Sequence, residues 1–254
     1  MEDLSKLLFE LSNEDRLRIL YVLREDPKKL TAIASSLELT VQETSRHLSR
    51  MTKSMLIQKG SDGAYSVTEY GIRILEVLPS FIFLIKNQDY FMTHTFGDLP
   101  QQFISRLGDL AKAELADNAI VLFQHVDSLI SKADEYVWIL ANQALSSTFP
   151  LLVERMEAGV EFRVTLPSDI GVPKIPEDKL PDFGKYIGKL MEPRHLDDIS
   201  YVVILSESEA ILALPELNGQ PDYLGFRFED KGGHQWCHDV FLYFWEKAFP
   251  VRMD

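Results

Sequence analysis

Apolar residues recur at helical spacing through the first third of the chain, and the polar residues between them mark where helices start and stop. Leu4 to Leu11 reads as a short helix. Ser12 and Asn13 cap a second helix running to about Arg24, with Leu17, Leu20 and Leu23 inward, and Pro27 ends that stretch. Thr31 caps a short helix, Ala32 to Leu37, and the turn Glu38-Leu39-Thr40 follows. Thr40 with Glu43 three positions on has the form of a capping box, in which each side chain satisfies the other residue's backbone donor. The helix it opens runs from Val41 to about Ser54, with Val41, Thr44, Leu48, Met51 and Met55 as its apolar stripe.

The pattern then changes period. Leu56–Lys59 and Ala64–Thr68 read as two short strands around the turn Gly60-Ser61-Asp62-Gly63, hence a β-hairpin. Thr68 caps a helix from Glu69 to Leu78, closed by Pro79. Two short helices with a polar outer face also suit a simple bundle. The full order of helix, helix, short helix, turn, capped helix, hairpin and helix is that of a winged helix-turn-helix over residues 1–78.

Residues 79–98 read as a linker that also serves dimerisation. Phe81-Ile82-Phe83-Leu84-Ile85 is apolar all round and must be buried, either against the second domain or at a subunit interface. Residues 99–254 alternate strand and helix signals. Helices are expected at Pro100–Ala116, Asn118–Ala133, Leu145–Ala158 and His234–Ala248. Strands are expected at Tyr136–Ala141, Val160–Thr165, Leu190–Arg194, Tyr201–Leu205, Ala210–Leu214 and Leu224–Phe228. The strand–helix–strand unit around residues 145–158 predicts a parallel pair, and the proline-rich stretch 167–181 a surface loop. The fold class is α+β or α/β: a winged helix-turn-helix followed by an α/β sensor domain with a mixed sheet.

Charge sharpens this picture. The 254 residues carry a formal net charge of −13. Residues 28–60 nonetheless hold Lys28, Lys29, Arg46, Arg50, Lys53 and Lys59 against only Glu38 and Glu43. A basic patch on an acidic protein suits an anionic polymer locally while the remainder repels it. On the helix from Val41 the face opposite the apolar stripe shows Gln42, Ser45, Arg46, Ser49, Arg50 and Lys53, the residue types that reach base edges and phosphates. We assign base readout to Gln42 and Arg46 with support from Ser45 and Ser49. Phosphate contacts fall to Thr40, Arg50 and Lys53, and the neighbouring backbone to Lys59 and Tyr65 in the wing. The expected partners are double-stranded DNA and a second copy of the chain, because a helix-turn-helix usually reads two half-sites as a two-fold dimer.

No apolar run approaches the ~20 residues of a membrane helix, the acidic N-terminus lacks a signal-peptide pattern, and one cysteine, Cys237, rules out an intramolecular disulfide framework. A cytoplasmic protein without membrane partners is expected.

Catalytic signals are missing. No histidine is followed two positions on by lysine, and there is no Gly-x-Ser-x-Gly elbow, P-loop or dinucleotide fingerprint. No enzyme and no cofactor are expected. His234, Cys237 and His238 share a helical face as zinc ligands can, but no fourth ligand accompanies them, so no metal is expected. For an unknown small-molecule effector the candidates are Arg194 and His195 at a strand end, and Trp138, Arg163 and Tyr201 on central strands. The same residues also suit a surface ion pair and core packing, respectively.

The segments LTAIASSLELTVQETSRHLSRM, LIQKG and DGAYSVTEYG resemble the winged-helix domain of archaeal ArsR-like transcription regulators. The chain differs from many of them in having Met55 where a glycine precedes the first wing strand, and it lacks the cysteine motif of the arsenic sensors. Asp89-Tyr90-Phe91, Leu99-Pro100, Ala158-Gly159-Val160, Ala213-Leu214-Pro215, the stretch 222–226 and the stretch 242–248 resemble the effector domain of archaeal methanogenesis regulatory proteins, the filament-regulator family. The layout is more distantly similar to the phospholipase D-like sensor domain of archaeal sugar-responsive regulators. The resemblance implies a transcription factor, a sensor joined to a DNA-binding head. A winged-helix adaptor for an acidic protein partner and an enzyme with a DNA-targeting head are the alternatives from other classes.

Overall fold

A computed structural model of the chain describes residues 1–168 and 181–251. The loop expected over 167–181 lies, but for its ends, outside the described residues. The chain divides into two compact units, Met1–Pro79 and Ser80–Asp254.

The first unit contains α1 (Glu2–Leu11), α2 (Glu14–Glu25), α3 (Leu30–Leu37), α4 (Val41–Lys53), β1 (Ile57–Lys59), β2 (Tyr65–Val67) and the first half of α5 (Glu69–Lys86). Its core is built from Ile19, Leu20, Leu23, Ile33, Leu37, Leu48, Met51, Leu56, Ile57 and Leu75. Asn13 caps α2 by accepting a hydrogen bond from the Arg16 amide at 3.0 Å. The inward face of α2 carries Arg16, Ile19, Leu20 and Leu23, while Leu17 is only half-buried. Thr31 is not the cap of α3, which begins at Leu30 with Lys29 before it and no side-chain cap.

Two further expectations are corrected. The buried stripe of α4 is Thr44, Leu48 and Met51 alone. Val41 is 56% exposed and Met55 68% exposed, because the stripe overhangs the core at the first turn and the helix ends before Met55. Pro79 does not close a helix at Leu78 but lies inside α5. A proline removes one hydrogen bond and crowds the carbonyl four residues back. Leu75 and Phe83, both fully buried, anchor the helix on either side of it and keep both halves helical. Gly71, near the start of α5, is there for space. A Cβ at this position would lie 2.2 Å from the Leu56 carbonyl oxygen and 2.6 Å from Val67 Cγ1.

The second unit holds α6 (Gln101–Ile104), β3 (Glu114–Leu115), α7 (Ala119–Lys132), β4 (Tyr136–Leu140), α8 (Phe149–Glu157) and β5 (Glu161–Leu166). They are followed by β6 (Met191–His195), β7 (Val202–Ser206), β8 (Ala210–Ala213), β9 (Phe226–Phe228), α9 (Lys231–Lys247) and β10 (Phe249–Pro250). Eight strands form one mixed sheet in the order β10-β6-β5-β4-β7-β8-β9-β3. β4, β5 and β6 run parallel, with Tyr136 opposite Glu161 and Phe162 opposite Met191, and the other pairs are antiparallel. Period-2 alternation sends neighbouring residues to opposite faces. Leu140, Val203, Leu205 and Leu212 pack with α9, whereas Val137, Val202, Ile204 and Ile211 pack with α7 and α8.

Two expected helices are shorter than their sequence spans. Residues 100–116 form α6, a 3-10 turn at Leu107–Leu110 and β3. Leu107, Leu110 and Ala113 are all buried at a spacing of three, which suits 3-10 geometry. The chain then extends so that Glu114 and Leu115 pair with Arg227 and Phe226 at the sheet edge. The helix expected from Leu145 starts at Phe149 with Pro150 in its first turn, where a missing N–H costs nothing.

Candidate nucleic-acid interface

The start of α4 is defined by its cap. Thr40 Oγ1 accepts a hydrogen bond from the Glu43 amide at 3.2 Å. The Glu43 carboxylate accepts from the Thr40 amide at 3.2 Å and from the Thr40 hydroxyl at 2.7 Å. These bonds from Thr40 hold the Glu43 carboxyl below the usual carboxylate range. The Thr40 hydroxyl thus both donates to and accepts from Glu43 at the start of the helix.

Past the cap, Gln42, Ser45, Arg46, Ser49, Arg50 and Lys53 are exposed along one face of α4. Among the described residues Gln42, Ser45, Arg46, Ser49 and Lys53 have no side-chain hydrogen bond or ion pair. Arg50 is different. Its guanidinium grips the Glu10 carboxylate, Nη2 to Oε1 at 2.6 Å and Nε to Oε2 at 3.2 Å, and lies 5.1 Å from the centre of the Phe9 ring. Buried Arg16 holds the end of α1 in place, donating to the Glu10 carbonyl at 2.6 Å and the Phe9 carbonyl at 2.7 Å. Sequence reasoning missed Glu10, because nothing local links positions 40 residues apart.

The wing brings further cations together. Lys59 and Tyr65 face each other across β1 and β2, with the Lys59 ammonium 5.4 Å from the ring centre. A β-bridge joins Lys28 to Tyr65, with paired backbone bonds of 3.0 and 2.8 Å. Lys28, twenty-nine positions before β1 begins at Ile57, thereby becomes part of the wing. Met55, just before β1, has φ +60°. It adopts the left-handed backbone conformation that glycine takes at no steric cost.

The effector candidates in the second unit fall into two groups. Trp138 and Arg163 are partners across β4 and β5, and the guanidinium lies 4.5 Å from the indole centre. Arg163 and Arg194 lie 5.6 and 4.1 Å from the ring of Trp245 on α9, so these three candidates form one stacked layer. Arg194 also donates to the Trp245 carbonyl at 3.0 Å and to Glu192 at 2.8 Å. Tyr201 stands apart, donating its hydroxyl to the Phe96 carbonyl at 2.8 Å, and burial pushes its phenol up to about 12. His195 packs 6.3 Å from Phe249.

None of the five lines the cavity of about 310 Å³ on the opposite, α7–α8 face of the sheet, whose walls include Val126, Ile139, Leu152, Met156 and Val164. Sequence reasoning missed this cavity. Its residues carry the ordinary period of a core, and only their failure to fill the space distinguishes them.

His234, Cys237 and His238 do not converge. The His234 ring bonds the Ser206 carbonyl at 2.6 Å, Cys237 is fully buried, and His238 faces Gln235 and Asp239. Among the described residues no group of three His, Cys, Asp or Glu is placed to hold a metal ion. No helix among them is long and apolar enough to cross a membrane.

Residues 16–86 match the family described as winged helix-turn-helix. The first unit is therefore a winged helix-turn-helix, followed by an α/β domain with a mixed eight-stranded sheet. No curated protein matches the chain. Among solved structures the chain is similar to TrmBL2, an archaeal chromatin protein with a novel mode of DNA binding, at 14% identity over 94% of each chain with a TM-score of 0.45. It is also similar to the phospholipase D family member NUC from Salmonella typhimurium, at 10% identity over 52% of this chain and 91% of that one, TM-score 0.39. NucT from Helicobacter pylori matches at 11% identity over 55% of this chain and 98% of that one, TM-score 0.40.

Proposed function

We propose that this protein is a sequence-specific transcription regulator that binds double-stranded DNA as a homodimer and responds to a small molecule through its second unit. The observation that carries the reading is the exposed face of α4, where Gln42, Ser45, Arg46, Ser49 and Lys53 stand without intramolecular partners among the described residues beside the Lys28–Lys59–Tyr65 wing. In this mode α4 lies in the major groove, Arg46 and Gln42 meet base edges, and Lys53 and the wing meet phosphates. Arg50 joins them when Glu10 releases it.

Dimerisation is supported by apolar side chains that stay in water in the single chain. Leu4, Leu8 and Phe9 on α1, and Tyr70, Val77, Phe81, Ile82 and Ile85 on α5, are all exposed. Helical surfaces of this kind mark interaction sites, and a two-fold partner also suits the paired half-sites that such heads read. A ligand in the second unit would act through its differential affinity for two arrangements of the dimer.

The test is selection from a random duplex pool at about 0.15 M salt with sequencing of the bound fraction. Enrichment of a two-fold symmetric site is the expected result. A folded dimer that enriches no sequence, with and without ligand, overturns the DNA-reading assignment and turns the winged helix toward a protein partner.

A further inference from the structure

We propose that the cavity between the sheet and α7–α8 is the effector site, and that it takes an uncharged, hydrocarbon-rich small molecule with a single hydrogen-bonding group. The proposal rests on the ligand-responsive reading above and gives that ligand its chemical class.

The cavity measures about 310 Å³. Protein interiors are close-packed, and voids larger than a water molecule are few. An engineered apolar cavity of roughly 150 Å³ stays dry and takes up benzene, and this one is about twice that size. A recess of this volume with apolar walls is large enough to take a small apolar molecule.

The walls select the occupant. Val126 comes from α7, Leu152 and Met156 from α8, and Ile139, Val164 and Ile204 from the strands, and among the described residues no charged side chain lines the space. A sugar, nucleotide or carboxylate drawn inside would lose its water without replacement partners. Met156 adds an unbranched, adaptable surface of the kind that accommodates varied apolar shapes.

The polar lining residues are Gln143, Thr148 and Tyr223. The Thr148 hydroxyl donates to the Leu145 carbonyl at 2.7 Å, and the Tyr223 hydroxyl donates to Asn142 Oδ1 at 2.5 Å. Asn142 and Gln143 follow the carboxyl end of β4, the end at which open α/β sheets present their ligand sites. A hydroxyl or carbonyl on the ligand would meet the Gln143 amide there, with its hydrocarbon body directed toward Val126 and Met156.

The experiment titrates the full-length protein with a neutral naphthylamine dye whose emission rises on leaving water. Decanol, decanoate and glucose then compete at neutral pH. Saturable binding of one dye per chain is expected, with decanol displacing it about tenfold better than decanoate and glucose without effect. Val126→Trp, which fills the cavity, should weaken the dye about tenfold or more while circular dichroism stays native. Ala144→Phe serves the same purpose if that variant does not fold. Gln143→Leu, at the exposed rim, should weaken decanol several-fold. Absence of saturable binding, equal competition by decanoate or glucose, or undiminished dye binding in a folded cavity-filling variant overturns the proposal. DNA binding is read on the same samples. Dye binding without DNA binding sinks the regulator reading alone, and DNA binding without dye binding sinks the ligand site alone.

Discussion

Arg50 of α4 and Glu10 of α1 form a two-pronged ion pair, with N–O distances of 2.6 and 3.2 Å. One of the cations on the exposed face of α4 is thus paired within the chain. Glu10 is shared, since buried Arg16 lies 3.3 Å from the same carboxylate. In the proposed DNA-binding mode Glu10 competes with phosphate for Arg50, and it does so from the helix that also carries the exposed Leu4, Leu8 and Phe9.

Glu10→Gln should therefore release Arg50 to DNA. Affinity for any duplex should rise at low salt, and the plot of log affinity against log salt should steepen by about 0.9, the increment for one added phosphate contact. An unchanged slope in fluorescence-anisotropy titrations would mean that Arg50 does not reach the backbone even when free.

The pair also sets a pH dependence. The Arg50 hydrogen bond holds the Glu10 carboxyl below its ordinary value of 4.5; burial opposes this, and the charges of Arg16 and Arg50 reinforce it. A carboxyl with a depressed folded-state value binds fewer protons when folded, so its contribution is complete above about pH 4.5 and is lost as pH falls through the folded value. Denaturant melts between about pH 6 and about pH 3 should show a steeper loss of stability on the acid side in the wild type than in Glu10→Gln.

Arg46 and Lys53 should separate specificity from affinity. Arg46→Ala should cost ~1–3 kcal/mol at the preferred site and relax the base preference there, whereas Lys53→Ala should weaken all sequences alike and flatten the salt slope by about 1. Competition assays against scrambled duplexes distinguish the two. An Arg46→Ala protein that keeps its full preference would place base readout elsewhere on the surface.

Met55→Gly should stabilise the first unit. The left-handed backbone costs a side-chain-bearing residue roughly 1–2 kcal/mol, and glycine gives back part of the gain through unfolded-state entropy. With φ at +60° and the Met55 side chain largely in water, a net gain of about 0.5–1 kcal/mol is expected in urea melts followed by circular dichroism. A loss of stability would show that the methionine side chain contributes contacts outweighing its backbone strain.

The sequence determined on its own what depends on neighbours along the chain. The capping box of Thr40 and Glu43, the polar face of α4 and the turn of the wing are all set within a few residues, and all are present. The pairing of β4 with β5 in parallel follows from a strand, a helix and a strand in succession. Tertiary structure decided what depends on distant partners. Whether Arg50 is free rests on Glu10, and whether Pro79 ends a helix rests on Leu75 and Phe83 being buried on either side of it. Residues 105–115 yield to the sheet edge offered by β9. The cavity depends most on the tertiary structure, because side-chain period tells which face is buried but not whether the facing layers fill the space between them. Periodicity is a property of one element, whereas packing volume belongs to several elements at once.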